Sequence, residues 1–459
     1  MAHRIEPRRR SFAISANVSV ILGTLMLAVG ALTIGLHAQG SGGHWVSTWS
    51  TALVGRPQVL PPPGPPGPPP FMTNACPQPP APPAPSPGQT FGPPPVTHFT
   101  NQTLRQIVHT SVGGTRARVV VSNALGTAPL TIGAAHIAAR AKDDAIQTGG
   151  RAVTFSGRPT ITIPANAIAY SDPVALAVPP LGDLAIDLYL PGTTNAPAPV
   201  SMHGAAYQTN YVSETGNHAG SAKLPTVSTV RNWFYLSRVE VDAPDASGVI
   251  VAFGDSITDG AASTVDTNSR WPDVLARRLL SAGLAKLGIA NAGIGGNRLL
   301  GEGAFGAGIN ALARFDTDAL AQTGATYVIV LEGINDIGNA RGNSTPTAED
   351  LIAAHKQLIE RAHARGLKAI GATLTPFWGA AYYTESGEAK RQALNDWIRN
   401  GKGYDGVIDF DKATRDPADA KKLAAACDSC DHLHPSDAGY KAMGEAIDLA
   451  LFKAGASTR

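Results

Sequence analysis

Cysteine is almost missing from this chain. Three occur in 459 residues, too few for a fold built on disulfides. An excess of charge of either sign is missing too. Charged residues make up 16% and the formal net charge is +2, so no electrostatic footprint marks a nucleic-acid partner. Glycine and proline, by contrast, are plentiful at 49 and 36 residues. The length exceeds what one core usually carries, so two folded domains with additional segments are expected.

Arg4, Arg8, Arg9 and Arg10 stand before an uncharged, mostly apolar run over residues 18–36, and Ala38, Gly40, Ser41, Gly42 and Gly43 follow. A basic start, an apolar middle and a small-residue exit read as a secretory signal. The run is also long enough to stay as a membrane anchor. Residues 1–43 are therefore a cleaved signal or a retained span. Either places the body outside the cytoplasm, secreted, periplasmic, or held on the outer face of the cytoplasmic membrane.

Of the 36 prolines, 19 fall within residues 57–95. Proline fixes φ and lacks an amide donor, so this segment builds neither helix nor inner strand. It reads as a polyproline or unstructured insertion in a surface loop, since the strand-like Trp45-Val46-Ser47-Thr48-Trp49 precedes it. The remainder of residues 44–245 is β-rich. The stretches 116–122, 160–164 and 184–190 alternate or are β-branched, with turn residues between them, which predicts an all-β sandwich of jelly-roll type.

From residue 246 onward the rhythm changes. Strand-like runs at 248–253, 287–291, 326–331, 368–373 and 406–410 alternate with helix-length stretches at 271–282, 310–322, 347–365, 388–400 and 437–452. Such alternation makes a parallel sheet covered on both faces, with its site at the carboxyl ends of the strands.

Four short blocks lie at those ends. The first is Gly254-Asp255-Ser256, a serine entering a helix, which on its own could be no more than a cap. It is not the elbow of α/β-hydrolases, because Thr258 stands where the last glycine would be. The second is Asn291-Ala-Gly-Ile-Gly-Gly-Asn297, flexible backbone able to approach a substrate. It lacks dinucleotide spacing. The third is Gly333-Ile-Asn335-Asp336, and the fourth is Asp431-His432-Leu433-His434 before the capping Ser436 and Asp437. Asn335 alone would pass for a turn residue.

In this joint order the blocks resemble the SGNH, or GDSL-type, hydrolases. Residues 103–130 are similar to the all-β domain that precedes the catalytic domain in one branch of that family. The resemblance implies a flavodoxin-like three-layer α/β/α hydrolase domain at 246–459. It implies Ser256 as nucleophile, His434 as base and Asp431 as its orienting carboxylate, which is sound chemistry for a serine hydroxyl. It further implies an oxyanion site from the backbone of Ser256 and Gly296 and the side chain of Asn335, with no cofactor and no metal. The expected reaction is hydrolysis of short-chain acyl esters, possible substrates being small molecules or acylated polysaccharide, through an acyl-enzyme. The same triad could instead serve an O-acyltransferase, or the chain could be a non-catalytic polysaccharide-binding surface protein.

Cys427-Asp-Ser-Cys430 departs from the small residues usual before the last block. With His432 and His434 it also resembles compact zinc ligation. A local Cys427–Cys430 disulfide is the expectation in an oxidising compartment, with Cys76 unpaired or bridged to one of them. His432 is the further histidine expected to touch substrate, whereas His109 and His136 read as ordinary β-domain residues.

Overall fold

Apolar side chains fill residues Gly248–Gly254, and every residue there is buried. A strand buried on both faces belongs in the middle of a parallel sheet. In the computed structural model it pairs with Leu287–Gly293 on one side and Ala325–Leu331 on the other, followed outward by Lys368–Ala372 and Gly406–Ile408, all parallel. In chain order the strands run 2-1-3-4-5, the flavodoxin-like order, whose switch point lies beside the first strand. The structure describes residue 1 and residues 43–56, 98–194, 198–246, 248–284, 286–302, 306–339 and 345–452. The apolar run at 18–36 and the proline-rich segment at 57–95 lie outside them. No helix among the described residues is long and apolar enough to cross a membrane.

Helices cover this sheet. Trp271–Ser281 packs with Asp437–Ala446, and Ala348–Ala364 packs with Glu385–Asn400. Their starts follow from side-chain caps on otherwise unpaired amides. Thr347 and Asp350 form a reciprocal capping box, and Thr384 and Ser436 cap the later two. Three expected boundaries are corrected. The helix expected at 310–322 is α-helical only over Ala311–Phe315, then widens to a π turn at Asp316–Leu320. The last strand stops at Ile408, because the Asp409 carboxylate caps a new helical turn at Phe410–Thr414. The final helix ends at Ala446, and a separate 3-10 turn spans Leu449–Phe452.

Residues 44–246 carry no helix among the described positions. Antiparallel strands form one sheet around Gly114–Ser122 and Leu236–Asp242, and a larger one around Thr100–His109 and Asp183–Thr193. This strand-rich region shares a hydrophobic core with the α/β region, from Val46 and Trp49 through to Val249 and Ile289. Strand Trp45–Ser50 lies along Leu287–Gly293. The Ser47 amide donates to Thr323 O at 2.9 Å, and Ser111 Oγ accepts from the Ile289 amide at 2.8 Å. From His44 onward the chain is therefore one compact unit.

Two backbones approach closely at the end of the second strand. A side chain on Gly293 would put its Cβ 2.2 Å from the Asp259 amide nitrogen. Gly293→Ala must displace the turn that follows the first strand. Overpacking of this kind is expected to lower Tm by about 3–10 °C, which differential scanning calorimetry measures. An unchanged Tm would mean that the two segments are not in contact.

Candidate active site

The first strand stops at Gly254, where a Cβ would lie 2.2 Å from Thr258 Oγ1 and 2.5 Å from Leu331 O. Only glycine lets the chain turn in so little space. Asp255 then caps a single helical turn, Ser256–Asp259, its carboxylate accepting from the Ile257 amide at 2.9 Å. Gly260, at φ 103°, closes the turn by donating to Ser256 O. Ser256 is thus held as the first residue of the turn, where its amide has no intrahelical acceptor. It is 8% exposed.

The loop after Leu423 brings the other two residues to it. Cys430 at φ 79° and His432 at φ 60° make tight left-handed bends, and Asp428 bridges Pro435. Inside this loop one Asp431 oxygen accepts from the amides of Leu433 and His434 at 2.9 and 2.8 Å. The other oxygen lies 2.5 Å from His434 Nδ1. His434 Nε2 lies 2.8 Å from Ser256 Oγ. Because Nδ1 faces a carboxylate, its hydrogen is placed there, and Nε2 presents a lone pair to the serine hydroxyl. Burial pushes Asp431 upward, but the hydrogen bond and charge of His434 and the two amides outweigh it and hold the carboxyl down at about 2.

Asn335 sits in a helical turn, Ile334–Gly338, after the third strand. Its Nδ2 donates to Asn297 O at 3.0 Å, which places the amide beside Gly296. Gly296, at φ 74°, occupies the left-handed region. The carboxylate of Asp336 ties the same loop down by accepting from the amides of Leu299 and Leu300 at 2.7 and 2.9 Å. The structure therefore gathers Ser256, Asp431 and His434 into one hydrogen-bonded line and joins Asn335 to the Gly296 loop.

Other expected residues go elsewhere. His432 pairs with Asp428, Nδ1 to Oδ2 at 2.6 Å, and its ring lies against Gly379. His109 pairs with Asp183 at 2.7 Å. His136 is half-buried in the strand-rich region beside Gly150 and Gly220. The expected Cys427–Cys430 disulfide is corrected. Cys427 is a free, buried thiol, and Cys430 is disulfide-bonded to a partner outside the described residues, where Cys76 also lies. The backbone between them is bent: the Cys427 carbonyl receives the Ser436 amide at 2.8 Å as the loop closes, and Cys430 sits in a left-handed bend at φ 79°. The residues of the zinc-like pattern are thus drawn into four different contacts.

Sequence reasoning missed the charged layer behind the serine. Arg314 is 2% exposed. Its guanidinium donates to Gly254 O and Ala292 O at 2.8 Å, to Asn297 Oδ1 at 2.8 Å and to Glu332 Oε1 at 3.3 Å. Burial pushes Asp255 up to about 7. Burial and the neighbouring Asp255 carboxylate also drive Glu332 well above its ordinary range, only partly relieved by Arg314. No sequence signal marked Arg314, whereas Asp255 lies inside the first block and Glu332 at the strand end that opens the third.

Residues 252–442 match the GDSL-like lipase/acylhydrolase family. The likeness is to this part of the chain. Among solved structures the chain is similar to the aryl esterase of M. smegmatis, at 17% identity and a TM-score of 0.36 over 43% of this chain and 95% of that one. It is similar to an acetyl xylan esterase, AlAXEase, at 19% identity and a TM-score of 0.35 over 43% and 96%. It is likewise similar to a carbohydrate acetylesterase from Sinorhizobium meliloti, at 16% identity and a TM-score of 0.34 over 43% and 95%. No curated protein matches the chain.

Two outcomes follow from the buried groups of residues 252–442. Folding raises Asp255 above its free-chain value near 4, so its contribution to stability is fully present below about pH 4 and is lost as pH rises towards about 7. Asp255→Asn keeps the acceptor for Ile257 and abolishes this titration. The Tm of the variant minus that of wild type is expected to climb across that window. A difference independent of pH would show that Asp255 is already ionised throughout. Separately, alkylation of the non-reduced protein should label Cys427 only after unfolding, because that thiol is buried. Labelling of Cys430 without reductant would contradict the disulfide.

Proposed function

We propose that the protein hydrolyses carboxylic esters through an acyl-enzyme on Ser256. The observation that carries this is His434 Nε2 at 2.8 Å from Ser256 Oγ, with Asp431 holding the opposite ring nitrogen at 2.5 Å. His434 takes the hydroxyl proton as Oγ attacks the ester carbonyl carbon. The carbonyl oxygen becomes an oxyanion, received by the amides of Ser256 and Gly296 and by Asn335 Nδ2, whose second hydrogen is not needed for Asn297. Collapse of the tetrahedral species expels the alcohol, which leaves with the proton held by His434. Water then repeats the sequence on the acyl-serine, releasing the acid and restoring the hydroxyl.

The substrate we infer is a short-chain acyl ester of a carbohydrate. Trp378 supports this: it is 41% exposed, it follows the fourth sheet strand, and its neighbour Gly379 touches His432. Lys422 stacks on the ring at 4.1 Å. An exposed, braced indole beside the catalytic loop offers a flat apolar face to a sugar ring. We read the strand-rich region as a sandwich-like accessory domain. Residues 1–43 act in this reading as an export signal or anchor, which agrees with a disulfide at Cys430.

Hydrolysis of p-nitrophenyl acetate by the protein lacking residues 1–39 tests the chemistry. Ser256→Ala should fall to background, and Asp431→Asn should lose about 10³–10⁴-fold in kcat. Equal turnover by wild type and Ser256→Ala would remove the acyl-enzyme. Trp378→Ala should raise KM for acetylated xylan while leaving that for p-nitrophenyl acetate in place. Equal effects on both esters would remove the sugar platform.

A further inference from the structure

Within the strand-rich region, strand Val200–His203 ends in a histidine that is 2% exposed. His203 Nδ1 lies 2.8 Å from Ala52 O, and Nε2 lies 2.9 Å from Asp259 Oδ1. Asp259 is the last residue of the turn that begins with Ser256. A carbonyl oxygen can only accept, so Nδ1 donates to Ala52. A carboxylate also accepts, so both ring nitrogens carry hydrogen and the ring is an imidazolium. Burial alone would favour the neutral ring, but the Asp259 charge and its hydrogen bond, with carbonyls of Ala52 and Ala205, outweigh this and raise His203. The ring of Trp233, 5.6 Å away between centroids, adds a face for the cation.

This contact is not isolated. The following segment, 207–209, docks on the loop after the serine turn. Gln208 Nε2, the Thr209 amide and Thr209 Oγ1 all donate to the Asp266 carboxylate at 2.6–2.7 Å, and the Asp266 amide donates to Tyr207 O at 3.0 Å. The strand-rich region therefore grips the chain on the far side of Ser256, while the Gly293 backbone blocks its retreat.

The placement of Asp259 gives the grip a chemical consequence. A Cβ on Gly295, the residue before Gly296, would lie 3.9 Å from Asp259 Oδ2. An uncompensated carboxylate at that point would oppose the negative charge that develops on a substrate oxygen at Gly296. Arg270, the other cation close to Asp259, is already held by Asp273 at 2.7 Å. We propose that His203 is a positioning residue for ester hydrolysis, supplied by the strand-rich region: its imidazolium holds the Ser256 turn through Asp259 and neutralises that carboxylate behind the oxyanion site. The inference rests on the acyl-enzyme reading above.

The test compares His203→Gln, Asp259→Asn and the double variant, each with p-nitrophenyl acetate. An organophosphate ester that phosphorylates reactive serines counts active sites, so that kcat refers to folded, competent enzyme. His203→Gln keeps a donor towards Asp259 but loses the charge. It should lose about 10–100-fold in kcat per titrated site, with KM within about twofold. Asp259→Asn removes the anion as well as the need for the cation, so its loss should be smaller, about threefold. The double variant should regain about tenfold over His203→Gln. A His203→Gln enzyme with wild-type kcat per site overturns the proposal. So does a double variant no faster than His203→Gln, since loss of packing does not reverse when the charge is removed. Absence of organophosphate labelling on Ser256 in the wild type would instead overturn the acyl-enzyme reading itself.

Discussion

A single buried guanidinium sets the geometry of the candidate site. Arg314 reaches Gly254 O at the end of the first strand and Ala292 O on the second. It also meets Glu332, just past the third, and the side chain of Asn297 in the glycine-rich loop. Its face lies 4.1 Å from the centre of the Phe253 ring. Carbonyls at the carboxyl ends of parallel strands point at one another's neighbourhood and need donors there. A planar group with five hydrogens meets several of them at once, which a lysine could not. The serine turn, the glycine loop and the turn of Asn335 all begin where Arg314 has tied the strands.

From that fixed base, the two short loops need only local chemistry. Asp336 and Asn335, adjacent in sequence, bind the same loop from the side by accepting from Leu299 and Leu300 and donating to Asn297. Asp431 is oriented by the amides of the residues that follow it, so the carboxylate and the imidazole it serves belong to one tight turn. The neighbouring pair Asp428–His432 has similar local geometry, yet its ring lies against Gly379 while only His434 meets Ser256. Position relative to the strand end, rather than the His–Asp pair itself, separates the two.

This division explains what could be read from the sequence. Ser256, Asn335, Asp431 and His434 lie in blocks of a few residues at strand ends, and the alternation of strands and helices is periodic enough to place those ends. The five strands of the parallel sheet follow the apolar runs closely for the same reason. Arg314 gave no such signal: on a helix of mixed character, one arginine looks like any solvated charge, and Gly254 is 60 residues away. The His203–Asp259 pair spans 56 residues and two structural regions. The cysteine expectation failed because spacing suggests proximity but says nothing of the left-handed bend that the chain makes at Cys430.

The charge inventory around the serine closes the physical account. Asp255, Asp259, Glu332 and Asp336 are each at most 3% exposed, and they surround a place where the proposed reaction creates another negative charge. Four ionised carboxylates there would raise the barrier the site is meant to lower. Each is relieved differently. Asp255 is pushed to about 7 by burial and Glu332 well above its ordinary range, so both hold a proton more tightly than free carboxyls do. Asp336 is raised by burial while its oxygens face two loop amides. Asp259 is matched by the imidazolium of His203, a cation that comes from outside residues 252–442. A serine site built on a flavodoxin-like sheet thus depends for its charge balance on a histidine carried by the strand-rich region beside it.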